Sequence, residues 1–309
     1  MSEVTKNVSE TSAATLQTMR ERDMQKVSAK QKIVKICVQT ALYLFLGVMA
    51  LIVLFPFYWM LVSSVKTMPE YIRPIPTLIP HTWDFHNYVE VFQNEDLLLG
   101  QLFANTLFVG VVSTLLSLII TVLSAFAFAR LEFKGKNLLF AALLATMMIP
   151  GELFTITNYQ TVNSFGWLNT FTVLIVPFLV SVFYIYLLKQ NFQQVPNELY
   201  LAAKVDGTTD LKYLWKDMIP LALPTLISIT ILKMMGSWNS YMWPRLVAND
   251  EAHRLITNGL RTAFTSAEGV TDVPLQMAAI AVVSAPLFLV FVFLRKYIMK
   301  GVSRSGIKG

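Results

Sequence analysis

Cysteine, histidine and charge are all scarce in this 309-residue sequence. The single cysteine, Cys37, excludes a disulfide within the chain and any cysteine-based metal site. The three histidines, His81, His86 and His253, all lie in polar stretches, so no apolar segment carries an imidazole for metal or proton chemistry. Only 14% of the residues are charged, where an ordinary soluble domain carries about 25%. A soluble enzyme and a disordered scaffold are both excluded on that ground. What fills the chain instead is apolar: 55% of residues come from the hydrophobic set, and mean hydropathy is +0.54. The bilayer, not a globular core, sets the architecture.

A helix that crosses a bilayer needs about 20 mostly apolar residues. Six stretches qualify: Cys37 to Val65, Leu102 to Phe128, Leu138 to Ile156, Phe171 to Leu188, Ile219 to Trp243, and Leu275 to Leu294. The fold class expected is therefore all-α, an integral membrane protein of six transmembrane helices. Basic residues orient it. With both ends in the cytoplasm, 19 of the 25 Lys and Arg residues fall inside, and only Lys66, Arg73, Arg245, Arg254 and Arg261 fall outside. Lys233 lies within a span. This is the asymmetry the positive-inside rule demands, so the net charge of +6 reports topology and not nucleic-acid binding.

Residues 1–32 are polar, of mixed charge and without Pro or Gly, which fits a cytoplasmic tail and not a cleavable signal. Residues 33–300 form the membrane domain, with a loop at 190–218, and 301–309 form a second cytoplasmic tail. The outside stretch from Lys66 to Gly100 holds Pro69, Pro74, Pro76 and Pro80, which forbid one long helix in its first half. It is long enough to cap the outer mouth.

The loop between the fourth and fifth spans is the most informative. Pro196-Asn197-Glu198 opens a helix. Ala202 and Ala203 extend it with almost no side-chain bulk, so another protein surface can come close. Gly207 can adopt the left-handed backbone that stops it. Thr208 or Thr209 then caps a second short helix carrying Leu211, Tyr213, Leu214 and Trp215. Apolar side chains between spans need a receptor, and a groove on a cytoplasmic partner supplies one. An interfacial connector is the plainer alternative.

At this loop the chain resembles the membrane permease subunits of ATP-binding-cassette importers. Their signature runs Glu-Ala-Ala, three residues, Gly, nine residues, then Ile, any residue and Leu-Pro. Ala202, Ala203 and Gly207 match it, and Ile219-Pro220 takes the Leu-Pro end thirteen residues after the glycine. Leu201 stands where the Glu belongs and Asp217 where the Ile belongs; Glu198, one turn earlier, is a candidate replacement for the carboxylate. The likeness extends along nearly the whole chain to the carbohydrate-uptake branch, similar to maltose-type permeases. It is carried by Phe55-Pro56-Phe57, Asn105-Thr106, Ala125-Phe126-Ala127-Phe128-Ala129-Arg130, Ile149-Pro150, Gly166-Trp167-Leu168-Asn169-Thr170, Trp238-Asn239, Trp243-Pro244 and Gly306-Ile307-Lys308-Gly309, in the family's order.

The resemblance implies a bacterial inner-membrane subunit, itself not an enzyme. Its partners would be two ATPase subunits, a second homologous permease, an extracytoplasmic solute-binding protein, membrane lipid and a sugar-type solute. The chain has no Gly-x-x-x-x-Gly-Lys-Ser/Thr loop, so ATP and Mg belong to the partners and no cofactor is expected here. The ATPase-coupling set is then Glu198, Leu201, Ala202, Ala203, Asp206, Gly207, Leu211 and Pro220.

Inside the path, Lys233 stands out. A lysine at bilayer depth costs about 2.5–3.5 kcal/mol on insertion scales, so it should meet a cavity or a counter-charge. Glu152 is the other ionised span residue and a candidate partner; an acidic group on the solute is the alternative, and a snorkelling structural lysine a third. Trp238 and Asn239 suit a sugar, by ring face and amide, although a Trp at a span end is also a common interfacial anchor. An ion-coupled secondary transporter would carry buried ionisable residues in several spans. A membrane enzyme would need a convergent catalytic set. The sequence offers neither.

Overall fold

The computed structural model describes residues 34–95, 97–265 and 272–303. Every regular element among them is helical. The chain divides into two compact units, 1–62 and 63–309. The first is represented by α1 (Val34–Ser64), a 31-residue helix of mean hydropathy 2.3. Its exposed run of Leu42, Tyr43, Leu44, Phe45 and Leu51 is what a helix facing lipid presents. The segment 1–32 and residues 304–309, expected as cytoplasmic tails, lie outside the described residues.

The second unit is arranged around α4 (Leu99–Arg130), whose 32 residues match the second predicted span. Its buried face reads Thr106, Gly110, Ser113, Thr114, Ser117 and Thr121. These recur at three- and four-residue steps, so they share one side of the helix. Small side chains let backbones approach where lipid supplies no hydrophobic drive between helices. Accordingly α8 (Val182–Gln193) and α12 (Leu223–Trp238) pack along α4. At Gly110 the approach is so close that an added Cβ would lie 2.8 Å from Met234 Sδ.

Three predicted spans are single long helices: α1, α4 and α15 (Val273–Ser303), which carries the sixth and runs on through residues 301–303 assigned to the tail. The other three are broken. Lys136–Thr146 (α5) turns 82° before Gly151–Ser164, whose regular part is α6 (Thr155–Ser164). Phe171–Phe178, beginning with α7 (Phe171–Ile175), turns 44° into α8. Asp210–Leu221 turns 81° into α12. Counting each pair as one crossing gives six spans. The expectation of continuous helices at Leu138–Ile156, Phe171–Leu188 and Ile219–Trp243 is therefore corrected. Pro150 ends the first, having no N–H and restricting Ile149 before it. Pro220 and Pro224 remove two donors within five residues around Ala222. Helix α12 also stops at Trp238, where Asn239 Nδ2 donates to Met235 O (2.9 Å). Trp243 belongs instead to a separate short helix, α13 (Met242–Val247).

Residues 63–95 belong to the stretch expected to cap the outer mouth. Two short helices, α2 (Met68–Tyr71) and α3 (His86–Gln93), pack against α15. Asn87 Nδ2 donates to Ser64 O and Lys66 O, both at 3.0 Å. The Lys66 ammonium, itself buried, bonds Thr77 O. Glu70 is 3% exposed and accepts from Thr77 Oγ1 (2.8 Å), from His81 N (3.0 Å) and at His81 Nδ1 (3.0 Å). The His81 side-chain bond, its backbone N–H and the Thr77 hydroxyl together pull the Glu70 carboxyl down to about 2. A folded-state pKa below the unfolded one stabilises above the unfolded value, about 4.3 for Glu, and that contribution is lost as pH falls towards 2. Limited proteolysis of the 66–98 segment should thus show wild-type protection still near maximal at about pH 5 and fading below about pH 4. Glu70→Gln should be susceptible already at neutral pH and insensitive over that window. Equal susceptibility of the two at neutral pH would remove Glu70 as the cap's anchor.

Candidate functional site

The 190–218 loop folds as a helix-turn-helix. Helix α9 (Asn197–Val205) begins after Pro196. It ends at Gly207, whose φ of +72° lies in the left-handed region that glycine adopts without a Cβ penalty. Gly207 N donates to Lys204 O (3.0 Å) and Thr208 N to Ala203 O (2.9 Å), the paired closure of a Schellman motif. Thr209 Oγ1 then caps α10 (Asp210–Tyr213) by accepting from Lys212 N (3.4 Å). A wider turn over Leu214–Met218 leads into α11 (Ile219–Leu221).

Side chains lock the two arms together. Asp210 Oδ1 receives Lys204 Nζ at 2.6 Å and Tyr200 OH at 2.7 Å. The Asp210 hydrogen bond holds the exposed Lys204 ammonium protonated above its usual range. Tyr200 and Tyr213 pack ring to ring at 5.2 Å, and Tyr200 meets Phe126 of α4 edge-on at 6.4 Å. Tyr213, Leu214 and Met218 sink into a core shared with Leu188 and Phe192 of α8. The end of α4 clamps the loop from the other side. Arg130, 7% exposed, donates to Phe192 O (2.8 Å), Val195 O (2.6 Å) and Asn197 Oδ1 (3.3 Å).

Much of what remains outward is apolar. Leu199, Leu201, Val205, Leu211 and Trp215 are all more than half exposed, Val205 at 89%. Between the arms lies a hollow of about 510 Å³ whose lining includes Ala202, Ala203, Asp206 and Pro220.

Two further cavities flank α12. One, of about 390 Å³, is lined by Lys233, Ser113 of α4, Ser181 and Tyr184 of α8, Ser237 and Trp243, among others. The Lys233 ammonium donates to Phe178 O, at the end of the first half of the fourth span. The other, of about 630 Å³, lies against α14 (Ile256–Thr265) and α15 and includes Trp238, Asn239, Tyr241 and Arg261.

Residues 97–304 match the family of binding-protein-dependent transport system inner membrane components. The chain belongs to that family. It is 30% identical over 262 residues to the arabinooligosaccharides transport system permease protein AraQ of Halalkalibacterium halodurans, covering 84% of this chain and 93% of that one. It is 29% identical to the inner membrane ABC transporter permease protein YcjP of Escherichia coli, over 86% of this chain and 95% of that one. It is 30% identical to the polygalacturonan/rhamnogalacturonan transport system permease protein YtcP of Bacillus subtilis, over 86% and 97%. Among solved structures it resembles a bacterial ABC transporter involved in the import of the acidic polysaccharide alginate. That match has a TM-score of 0.75 and 25% identity, covering 82% of this chain and 94% of the other. The chain is a multi-pass membrane protein of a transport family whose named relatives are permeases, not enzymes.

Within this family member the predicted coupling residues gather on one device. Glu198, Leu201, Ala202, Asp206 and Gly207 are exposed along α9 and its stop, with Leu211 and Pro220 exposed on the second arm. Ala203 is half-buried against the loop's own core. Two of the apolar residues expected to seek a partner, Tyr213 and Leu214, are instead buried in that core. The predicted path residues do not gather. Lys233 lines one cavity and donates to Phe178 O, Trp238 and Asn239 line the other, and Glu152 lines neither. Glu152 is exposed in the short turn Gly151–Phe154, cut off by the break at Pro150. Trp238 is 5% exposed and stacks edge-on against Phe103 of α4 (5.7 Å), as a packing residue does. Arg130, read as a topology charge and as the last residue of the Ala125–Arg130 motif, was given no role at the loop and is the functional residue that sequence reasoning missed. Its place directly after the apolar run 125–129 was the available signal.

Proposed function

We propose that this chain is one of two transmembrane subunits of an ATP-driven importer that carries a sugar or oligosaccharide delivered by an extracytoplasmic binding protein. In this reading both termini and the 190–218 loop face the cytoplasm of a bacterial cell, and the 63–98 cap faces outward. Two separate ATPase subunits, carrying ATP and Mg, receive the loop, and a second homologous permease completes the path. The observation that carries the reading is the outward apolar rim of α9 and α10 on a loop otherwise fixed to α4 and α8. Such a loop transmits a push to the spans it is clamped to and does not absorb it by flexing. The names of the relatives support saccharide cargo. ATP-dependent accumulation of a saccharide in proteoliposomes holding the whole complex tests the reading; accumulation that follows an ion gradient without ATP contradicts it.

The departure at Leu201 has its own consequence. Glu198 is exposed on the rim, whereas Lys204 is engaged with Asp210 inside the loop. Glu198→Ala should lower the yield of complex captured through the ATPase subunit more than Lys204→Ala does. Exposed charge contacts are typically worth about 0.2–1 kcal/mol, so a two- to fivefold loss is the scale expected. Equal, negligible effects would show the carboxylate contact has been dispensed with.

A further inference from the structure

The fourth span breaks at the cavity that holds Lys233. Its first half closes at Phe178, whose carbonyl accepts from the Lys233 ammonium. Its second half, α8, opens at Ser181, the N-cap, whose Oγ accepts from Tyr184 N (3.4 Å). Val180, Ser181 and Tyr184 line the cavity, so the N-terminus of the 12-residue α8 opens onto it. The first amides of a helix have no acceptor inside it, and that end carries partial positive charge. An ammonium has three donors, and the Phe178 carbonyl uses one. Among the described residues no carboxylate, Glu152 included, lines this cavity. Half-helix N-termini aimed at a binding site are a recurrent way for membrane transporters to hold anionic groups.

We propose that this cavity holds the carboxylate of an acidic saccharide, between Lys233 and the N-terminus of α8, with the hydroxyls of Ser237 and Tyr184 available to the sugar. A single ammonium and one helix end match a monoanion better than a doubly charged phosphate. The volume of about 390 Å³ falls in the range of small-molecule sites. The inference rests on the importer reading and narrows its cargo to uronate-containing saccharides.

The test is equilibrium binding of trigalacturonate and its neutral methyl ester to the detergent-purified permease–ATPase complex, without binding protein. A charge-assisted contact predicts that the acid binds about tenfold or more tightly than the ester. Lys233→Met should erase the difference and Lys233→Arg should keep most of it. Equal binding of acid and ester, binding of neither, or an acid preference that survives Lys233→Met overturns the proposal. The acid–ester comparison in the unmodified chain decides the matter even where Lys233→Met fails to assemble. ATP-driven uptake of neutral saccharides without acid preference sinks this inference alone, whereas no ATP-driven uptake of any saccharide sinks the importer reading.

Discussion

Gly207→Pro should leave the chain in the membrane and reduce ATP-dependent uptake at least tenfold. Gly207 sits at φ +72°, and proline is locked near −65°. The substitution also deletes the N–H that closes α9 on Lys204 O. Misplacing a left-handed turn and losing a capping bond together cost about 2–4 kcal/mol locally, enough to detach α9 from α10. The spans have their own packing along α4 and do not depend on this turn, so insertion and the amount of protein should be near normal. Gly207→Asn is the control, because asparagine tolerates the left-handed region, and should retain most transport. Nothing in the chain itself lies within 4 Å of an added Cβ at Gly207, so the Gly207→Asn control separates loss of the turn from added side-chain bulk. Normal uptake by Gly207→Pro would mean that the turn transmits nothing.

Arg130→Met should be the most destabilising single change at this end of the molecule, by about 2–5 kcal/mol. The guanidinium is buried and joins three acceptors on the α8–α9 connection to the last turn of α4. Methionine fills much of the volume but takes away the donor that reaches Val195 O and Asn197 Oδ1, and leaves Phe192 O with the Val195 N–H at 3.3 Å. The expected readout is rapid proteolysis between Val195 and Val205 and a lowered midpoint of thermal unfolding of the purified protein. Arg130→Lys should recover only part of the loss, since an ammonium cannot span the fork that reaches Phe192, Val195 and Asn197. Unchanged proteolysis in Arg130→Met would show that the aromatic packing of Tyr200 and Phe126 alone holds the loop.

The apolar runs made the span count legible, because length and hydropathy decide it. The breaks were not legible as breaks: prolines inside apolar segments are tolerated in membranes where neighbours satisfy the freed groups. Pro150, Pro220 and Pro224 therefore read as part of a span until the packing around them is seen. The alanine–glycine loop was legible down to its glycine stop, because a left-handed turn has few sequence solutions. Its inward residues were not, since Tyr213 and Trp215 are equally apolar and only the core behind the loop separates them. Several motifs placed by resemblance prove to be joints. Asn105 Nδ2 donates to Ala252 O and Arg254 O, both at 2.9 Å, and Thr106 Oγ1 accepts from Ile256 N at 2.9 Å. Asn169, at φ +54°, accepts from Asn249 N at 2.8 Å. Lys233 was found from its cost, and its surroundings were not, because which helix face meets a cavity depends on all its neighbours at once.

The central claim is that the outward face of α9 is covered by an ATPase subunit in the working transporter. Ala202→Cys, in a chain whose one native cysteine has been removed by Cys37→Ser, places a thiol on that face at the cost of one added heavy atom. A water-soluble maleimide should label it readily in the isolated chain and several-fold more slowly in the assembled, ATP-hydrolysing complex. Labelling at the same rate in both would contradict the account.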